Sequence, residues 1–526
     1  MRDVYESRVD HPAVSIGRSA VPPLGICYVA AACEAAGAEV RIFDYIVSQY
    51  TPDKLHRQME EFQPDVVGAT SVTMNFPVGA EILKAAKQHN PSVITVMGGP
   101  HVSFDAKNTL TRFPEIDAII VGEGENTLMQ WMPAAGSRSA WHGIKGLAFM
   151  DGGQFISTGP GEFIEDLDAL PLPSRHLLPL SKYKALGFPI SIITSRGCPN
   201  KCIFCLGRKM VGFKVRYRDT TRVVDEIESL VSKGFERINI ADDLFVSNKK
   251  RVRRLCEEIL NRRINFGWSA FARVDTVDEE TLTLMRRAGC DAVSFGIESG
   301  NQEMLERVQK RITLDQARRA VRACKNAGMI AHASFMVGLP GESRETMQDS
   351  MEFARELAIE HGYHFLSPFP GTTVREHVAD YDLEILTEDW ARYDANTAIV
   401  RTSHLDPESM NAFVAEAYAP IFEKWNALKQ KHADGKSTPD EALQVESEGR
   451  LRLIYDILSK DLVEKTGYYQ TNGKEPIREF SARIAQETGI SDEFVCRYMN
   501  LWVEKKFLGY AVQNGRVAWF WTSTNP

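Results

Sequence analysis

Three cysteines crowd into the segment RGCPNKCIFC (196–205), and this C-x3-C-x2-C cluster of Cys198, Cys202 and Cys205 constrains the chain more than any other feature. It follows an apolar strand pattern, PISIITS (189–195). Further strand patterns lie at 237–241, 266–271, 292–297, 331–338 and 363–367, with helical patterns between them, for example 222–233 and 249–261. Six βα units of this length predict a partial or complete parallel barrel over residues 186–400. A loop leaving the C-terminal end of the first barrel strand can wrap three thiolates around one face of an iron–sulfur cluster, whose usual protein ligands are cysteines. Three ligands leave the fourth iron of a 4Fe-4S cube open to an external molecule. Zinc is the competing metal, but a structural zinc site needs a fourth protein ligand. The loop contains no histidine, and the nearest, His176, lies 22 residues upstream.

Residues 1–145 alternate strands and helices differently. Helical patterns at 24–36, 52–62 and 78–87 alternate with strand patterns at 40–44, 65–72, 93–99 and 117–125. This predicts a doubly wound, Rossmann-like parallel sheet covered on both faces. Such a sheet usually opens with an apolar strand, and Met1 to Asp10 is too polar to be a good one. Residues 146–185 read as a proline-rich connector with a hairpin around Asp151-Gly152-Gly153. Beyond residue 400 the pattern becomes helical, with long helices at 406–432 and 442–465 divided by GKSTPDE. The chain then reads helix, turn, helix and a hairpin turning at Asn514-Gly515, the outline of a winged helix over the end of 401–526.

With its aromatic Phe204 before the last cysteine, the cluster motif resembles the radical S-adenosylmethionine superfamily. The resemblance implies that the open iron chelates S-adenosylmethionine and that one electron cleaves it to a 5′-deoxyadenosyl radical. It also implies cofactor-contacting roles at later strand ends: Asp242 and Asp243 in IADDLF, Arg273 in ARVD, and Glu298 and Ser299 in GIESG, with GLPGE (338–342) and SPFPGT (367–372) following. All fall at strand C-termini, where barrels build their sites. A barrel also shields a primary carbon radical from water.

In the N-terminal part, TSVTMNF (70–76), GGPHVS (98–103) and GEGE (122–125), together with PPLG (22–25), resemble the cobalamin-binding domain that precedes many barrels of that superfamily. The resemblance implies corrin or tail contacts from Ser71, Thr73, Gly98, Gly99, His101, Gly122, Glu123 and Gly124. None of the 12 histidines has an aspartate two residues before it, so the D-x-H-x-x-G motif of an axial histidine is absent, and His101 is read as a loop or tail contact. Methylthiotransferases pair the same barrel with three N-terminal cysteines, whereas only Cys27 and Cys33 lie here.

These readings imply a cobalamin-dependent enzyme that methylates an unactivated carbon, with S-adenosylmethionine, a 4Fe-4S cluster and cobalamin as cofactors and a flavodoxin- or ferredoxin-type electron donor. The alternatives are oxidative cyclisation or ring rearrangement with the same cofactors and, from another class, a cobalamin sensor that reads DNA through its C-terminal module. A formal charge of −8 argues against non-specific nucleic-acid binding. No apolar run reaches the roughly 18 residues of a membrane span, and no signal peptide is evident, which points to the cytoplasm. The substrate is expected to be a small molecule, planar or lipid-like if the late aromatics Trp390, Tyr393, Trp425, Tyr468, Tyr469, Trp502, Trp519 and Trp521 line its pocket; most of these read as core.

Overall fold

The computed structural model describes residues 21–522, so the polar segment Met1 to Asp10 lies outside the described residues. The first sheet holds three parallel strands, β1 (Val66–Thr70), β2 (Ile94–Gly98) and β3 (Ala118–Ile120), in that order. Helices α1 (Leu24–Ala35), α2 (Pro52–Phe62), α3 (Phe76–His89), α4 (Pro100–Arg112) and α5 (Glu125–Trp131) accompany them. Alternating residues separate the two faces. Met97 and Ile119 pack with Leu83 of α3 and Leu110 of α4, while Val96, Ala118 and Ile120 pack with Cys33 of α1 and Trp131 of α5. The sheet is therefore covered on both sides, as its run of apolar strands requires.

Two expectations are corrected here. The segment 40–44 is not assigned to a strand among the described residues. It is held by side chains instead: Ile42 is buried with Cys27 and Leu178, and the Tyr183 hydroxyl donates to Asp44 Oδ2 at 2.5 Å. The hairpin at 151–153 forms, but it is not part of a connector. Strands β4 (Leu147–Asp151) and β5 (Gln154–Ser157) add antiparallel to β3 and extend the first sheet to Ser157. An apolar edge on β3 gains a ladder partner this way, and Leu147 and Phe149 are fully buried.

The second sheet begins with β6 (Ile190–Ile192). The cysteine loop follows, closed by a two-residue antiparallel ladder of β7 (Ser195–Arg196) with β8 (Arg216–Tyr217). Then come α6 (Thr220–Ser232), β9 (Arg237–Ile240), α7 (Lys249–Asn261), β10 (Gly267–Ala272), α8 (Glu279–Arg287), β11 (Cys290–Glu298), α9 (Leu314–Asn326), β12 (Ile330–Val337), α10 (Arg344–Leu357) and β13 (Glu360–Phe365). The six strands are parallel and neighbour one another in chain order, β6-β9-β10-β11-β12-β13, which is the winding of a barrel rather than of a switch-point sheet. Sequence signals set the helix starts: Asp219, Asn248, Asp278, Thr313 and Ser343 each accept a backbone N–H of the helix they precede. Each such cap contributes about 1 kcal/mol.

Past the barrel, β14 (Glu384–Ile385) pairs with β15 (Val400–Arg401). Helices α11 (Pro407–Ala433) and α12 (Pro439–Ser459) form a long antiparallel pair around the breaker-rich segment. The chain ends in β16 (Tyr468–Gln470), α13 (Pro476–Thr488), α14 (Asp492–Glu504), β17 (Leu508–Gln513) and β18 (Arg516–Trp521). Asn514 and Gly515 both take positive φ, 50° and 73°, as a two-residue hairpin turn demands. Strand β16 had no signal beyond two tyrosines; it forms because β18 offers it an edge. Trp502, Trp519, Trp521 and Tyr469 build the core of this module, whereas Tyr468 is exposed. No helix among the described residues is long and apolar enough to cross a membrane.

Candidate functional site

The cysteine loop is anchored by backbone geometry. Gly197 has φ +114°, and a Cβ there would lie 2.2 Å from the Lys214 carbonyl oxygen, so only glycine fits between the two ends of the loop. The Cys198 N–H donates to Gly212 O at 3.0 Å, and the Ile203 N–H donates to Val308 O at 3.2 Å. Ile203 is buried in the core and Phe204 packs partly against it, which turns the cysteines outward: Cys198 and Cys202 are half-buried and Cys205 is exposed. Asn200 Nδ2 donates to Cys198 Sγ and the Gly207 N–H to Cys205 Sγ, both at 3.3 Å. Such N–H donors suit thiolate ligands. The loop supplies three thiols and no histidine, one ligand short of the four protein ligands of a structural zinc site. Three free thiols on one outward-facing loop, with amide donors to two sulfurs, fit a cysteine-ligated iron–sulfur cluster. The other cysteines are as expected: Cys27, Cys33, Cys256, Cys290 and Cys324 are buried and Cys496 is half-buried.

Beside the loop lies an ionic group that the sequence only half revealed. Glu298 ends β11 at a break in the β11–β12 register, with φ +75°, a costly conformation for a non-glycine residue. Its Oε1 accepts from Lys310 Nζ at 2.7 Å, and both side chains are buried. Arg273 donates to Asp275 at 2.9 and 3.0 Å and to the Lys310 carbonyl oxygen at 2.9 Å. Burial raises the Cys202 thiol above its ordinary value, while Lys310 and Arg273 pull it down. Lys310 carried no signal in the sequence; it comes from a loop flanked by two positive-φ residues, Gln309 and Arg311. Next to Arg273 and Asp275 an open cleft of about 420 Å³ runs past Asn200 and Tyr217.

The paired aspartates separate in role. Asp242 is buried and its carboxylate accepts from Thr194 N, Thr194 Oγ1 and Ser195 Oγ, all at 2.6 Å. It braces the strand end below the loop. Asp243 is exposed and accepts from the Gly197 N–H at 3.4 Å, beside the cysteine loop. The Ser299 hydroxyl contacts Ser350 of α10 at 3.3 Å and accepts from the Asn301 N–H.

In the first sheet, the turns after β1, β2 and β3 share one edge. Ser71 and Thr73 are buried, and Thr73 Oγ1 lies 3.4 Å from His101 Nδ1. Here the glycines serve different ends. A Cβ on Gly99 (φ +106°) would fall 2.4 Å from Ser71 O, so this glycine is required by the approach of two turns of the protein itself. A Cβ on Gly124 would meet Ile120 at 2.9 Å, and one on Gly98 would make ordinary contact with the same residue. Of this set only Gly122 (φ +80°) would place an added Cβ in open space. Its N–H donates to Ser103 Oγ at 3.0 Å.

The carboxylate of Glu123 is held by the protein's own cations. It bridges to Arg216 at 2.7 and 2.8 Å and to Arg196 at 3.3 Å, and accepts from the Ile164 N–H at 2.9 Å. Arg196 also pairs with Glu125 at 2.6 Å. Arg196 and Arg216 are the partnered residues of the β7–β8 ladder that closes the cysteine loop. The GEGE turn is thus clamped, through buried ion pairs, to both ends of that loop. His101 is completely buried, with its ring 4.2 Å from Phe76 and 4.9 Å from Trp390, and its Nε2 has no hydrogen-bond partner among the described residues. Burial and the nearby Arg375 lower its pKa to about 4. A Cβ on Gly371, after the last barrel strand, would overlap the Phe104 ring of α4. The strand-end turns of the first sheet therefore pack against the strand-end loops of the second.

Comparison with known proteins agrees with this arrangement. Residues 16–131 match the B12 binding domain family and residues 192–354 the Radical SAM superfamily. An uncharacterized methyltransferase of Pyrococcus horikoshii is 34% identical over 404 residues, covering 76% of this chain and 88% of that protein. The anaerobic magnesium-protoporphyrin IX monomethyl ester cyclase of Rubrivivax gelatinosus is 30% identical over 420 residues, covering 76% and 74%. The structure of the radical S-adenosylmethionine methyltransferase TsrM from Kitasatospora setae, solved with cobalamin and a [4Fe-4S] cluster, superposes with a TM-score of 0.62 at 22% identity, over 72% of this chain and 82% of that one.

Proposed function

Because the chain belongs to the radical S-adenosylmethionine superfamily, in the branch with an N-terminal B12 binding domain, we propose that it is a cobalamin-dependent radical enzyme that methylates a carbon of a small molecule. When bound, the cluster with S-adenosylmethionine supplies a carbon radical and cobalamin supplies a methyl group. The observation that carries the reading is the juxtaposition of the Cys198–Cys202–Cys205 loop with the turns after β1, β2 and β3, locked by Glu123, Glu125, Arg196 and Arg216. In this reading the three cysteines hold the cluster. Lys310, Glu298 and Arg273 line the adjoining S-adenosylmethionine site, with Asp243 at its edge. Gly122, Ser71, Thr73 and His101 border the corrin or its tail. The barrel excludes water from the reacting centre. The one-electron donor would be of flavodoxin or ferredoxin type.

The domain division that accompanies this is a cofactor domain through Ser157, a connector, a partial (β/α)6 barrel to about residue 400 and a C-terminal module with winged-helix order. That module is moored rather than free: Asp461 accepts from Ser48 Oγ at 2.9 Å, Gln49 N at 3.1 Å and Lys54 Nζ at 2.8 Å, and Lys182 pairs with Glu464 at 2.8 Å. We assign it a packing role, not DNA reading. A second outcome, oxidative cyclisation with the same cofactors, is favoured by the Rubrivivax gelatinosus relative. Product masses separate the two.

The test is metal content. Protein purified without oxygen and reconstituted with iron, sulfide and hydroxocobalamin is expected to hold about four irons and about one cobalt per chain. The variant with Cys198, Cys202 and Cys205 all changed to Ala is expected to lose the iron. Iron without cobalt would remove the methyl-transfer mechanism, and no iron would end the radical reading.

A further inference from the structure

A cavity of about 310 Å³ lies where α1, the connector and α6 meet, and it shares no lining residue with the cleft beside Arg273. Its floor is ionic. Arg175 Nη1 donates to Glu226 Oε1 at 2.6 Å and Nη2 to the Ser191 carbonyl oxygen at 2.8 Å. Arg218 Nη1 donates to Glu226 Oε2 at 2.5 Å and to the Ile193 carbonyl oxygen at 2.8 Å. These bonds tie the connector to the barrel, and all three side chains are more than nine-tenths buried.

The groups that these bonds leave unspent set what the cavity can hold. Both oxygens of Glu226 are taken. Arg218 bonds through Nη1 alone: its Nη2 makes no hydrogen bond among the described residues, and its Nε lies 3.9 Å from Asp168 Oδ1, beyond hydrogen-bond reach. The Tyr28 hydroxyl is likewise unbonded among the described residues, although Tyr28 lines the cavity and is only 4% exposed. Burial pushes its pKa up to about 12, so it stays a protonated donor, and the Arg196 guanidinium holds its ring from 5.3 Å. Asp168 is engaged by the fold: its Oδ2 accepts from Asp219 N at 2.6 Å, and its Oδ1 is sealed from solvent. At the mouth, Asp225 pairs with Arg262 at 2.6 Å, whereas the exposed Arg222 and Lys233 have no ion pair among the described residues. The lining holds four Lys and Arg side chains against three carboxylates, so one negative charge balances it. Opposite these groups the wall is apolar, with Leu170, Leu230 and Leu172, the last 61% exposed.

We propose that this cavity is a second small-molecule site, separate from the cofactors, for a monocarboxylate with an apolar chain or ring. The carboxylate accepts from Arg218 Nη2 and the Tyr28 hydroxyl beneath the charges of Arg222 and Lys233, and the carbon frame lies on Leu170, Leu172 and Leu230. Bonds from a guanidinium to a carboxylate are charge-assisted and strong. An ammonium group would instead meet two guanidinium groups, and an alcohol would forgo the charge.

Three probes on one frame test this by saturation-transfer NMR with the full reconstituted chain: 4-phenylbutyrate, 4-phenylbutanol and 4-phenylbutylamine. The acid is expected to bind about tenfold more tightly than the alcohol, and the amine not to bind. Arg222→Gln/Lys233→Gln changes only exposed side chains and is expected to weaken the acid about tenfold while leaving the alcohol unchanged. Tyr28→Phe removes one hydroxyl and keeps the ring, and is expected to weaken the acid by a similar factor. Binding of the acid should persist in the variant with Cys198, Cys202 and Cys205 changed to Ala, which separates this site from the cluster. No binding of the acid, equal binding of all three probes, affinity for the acid unchanged in both sets of variants, or its loss with the three cysteines would each overturn the proposal.

Discussion

Changing Glu123 to Ala removes the centre of the clamp between the first sheet and the cysteine loop. Glu123 and Arg216 each expose only 3% of their side chains, and two bonds of 2.7 and 2.8 Å join them. Without Glu123, Arg216 keeps the carbonyl oxygens of Ile164 and Val211 but loses its only counter-charge among the described contacts. Breaking a buried pair from one side costs about 3–5 kcal/mol, because a desolvated charge is left uncompensated. For a domain of this size that corresponds to a fall in melting temperature of roughly 6–20 °C. Replacing both partners, Glu123→Leu with Arg216→Met, is expected to recover most of the loss, since no charge is then stranded. The assay is thermal unfolding of wild type, both single variants and the double, with iron retained per chain as the second readout. The clamp holds the ends of the cysteine loop, so the single variants should also lose iron on gel filtration. Single variants that melt within about 2 °C of wild type, or losses that simply add in the double, would refute the reasoning.

Three further outcomes follow from the same structure. His101 has a folded pKa near 4 against an ordinary 6.5, so below pH 6.5 the unfolded chain takes up a proton that the folded chain refuses. Stability should fall by about 3 kcal/mol as pH drops through that window, and His101→Phe should flatten the slope in denaturant titrations. Glu342 behaves oppositely. It is fully buried, accepts from Gly338 N at 2.5 Å and Leu339 N at 3.2 Å through one oxygen, and has its pKa raised by burial to about 8. Its contribution is complete below the ordinary carboxyl range and disappears as pH rises through 8, so Glu342→Gln should gain on wild type in unfolding midpoints measured from about pH 5 to about pH 9. Gly122→Ala and Gly99→Ala should part company. The first meets only its positive φ, costs about 1–2 kcal/mol and lowers cobalt uptake in folded protein. The second must displace the Ser71 backbone and should lower the yield of folded protein.

How much could be read in advance depended on how local the cause was. The cysteine spacing, the strand–helix alternation of the barrel and the Asn514-Gly515 turn are each decided within a few residues, so the sequence alone determined them. Partner choice was not local. Whether 147–157 is a connector or the edge of a sheet depends on whether β3 presents an unpaired side, and VRIFD lacked an assigned ladder although its residues favour one. Residues that the resemblance placed on cofactors also have partners within the protein: Asp242 on Thr194 and Ser195, Ser299 on Ser350, and Glu123 on the two arginines of the ladder that closes the cysteine loop. Lys310 and Arg216 had no motif to announce them, because a buried ion pair is defined by two segments meeting in space. The sequence by itself determined which chemistry the chain could carry, since metal ligation follows from thiol spacing on one loop. Only the tertiary structure decided which polar groups were left to perform it, because each buried donor and acceptor must first satisfy the fold.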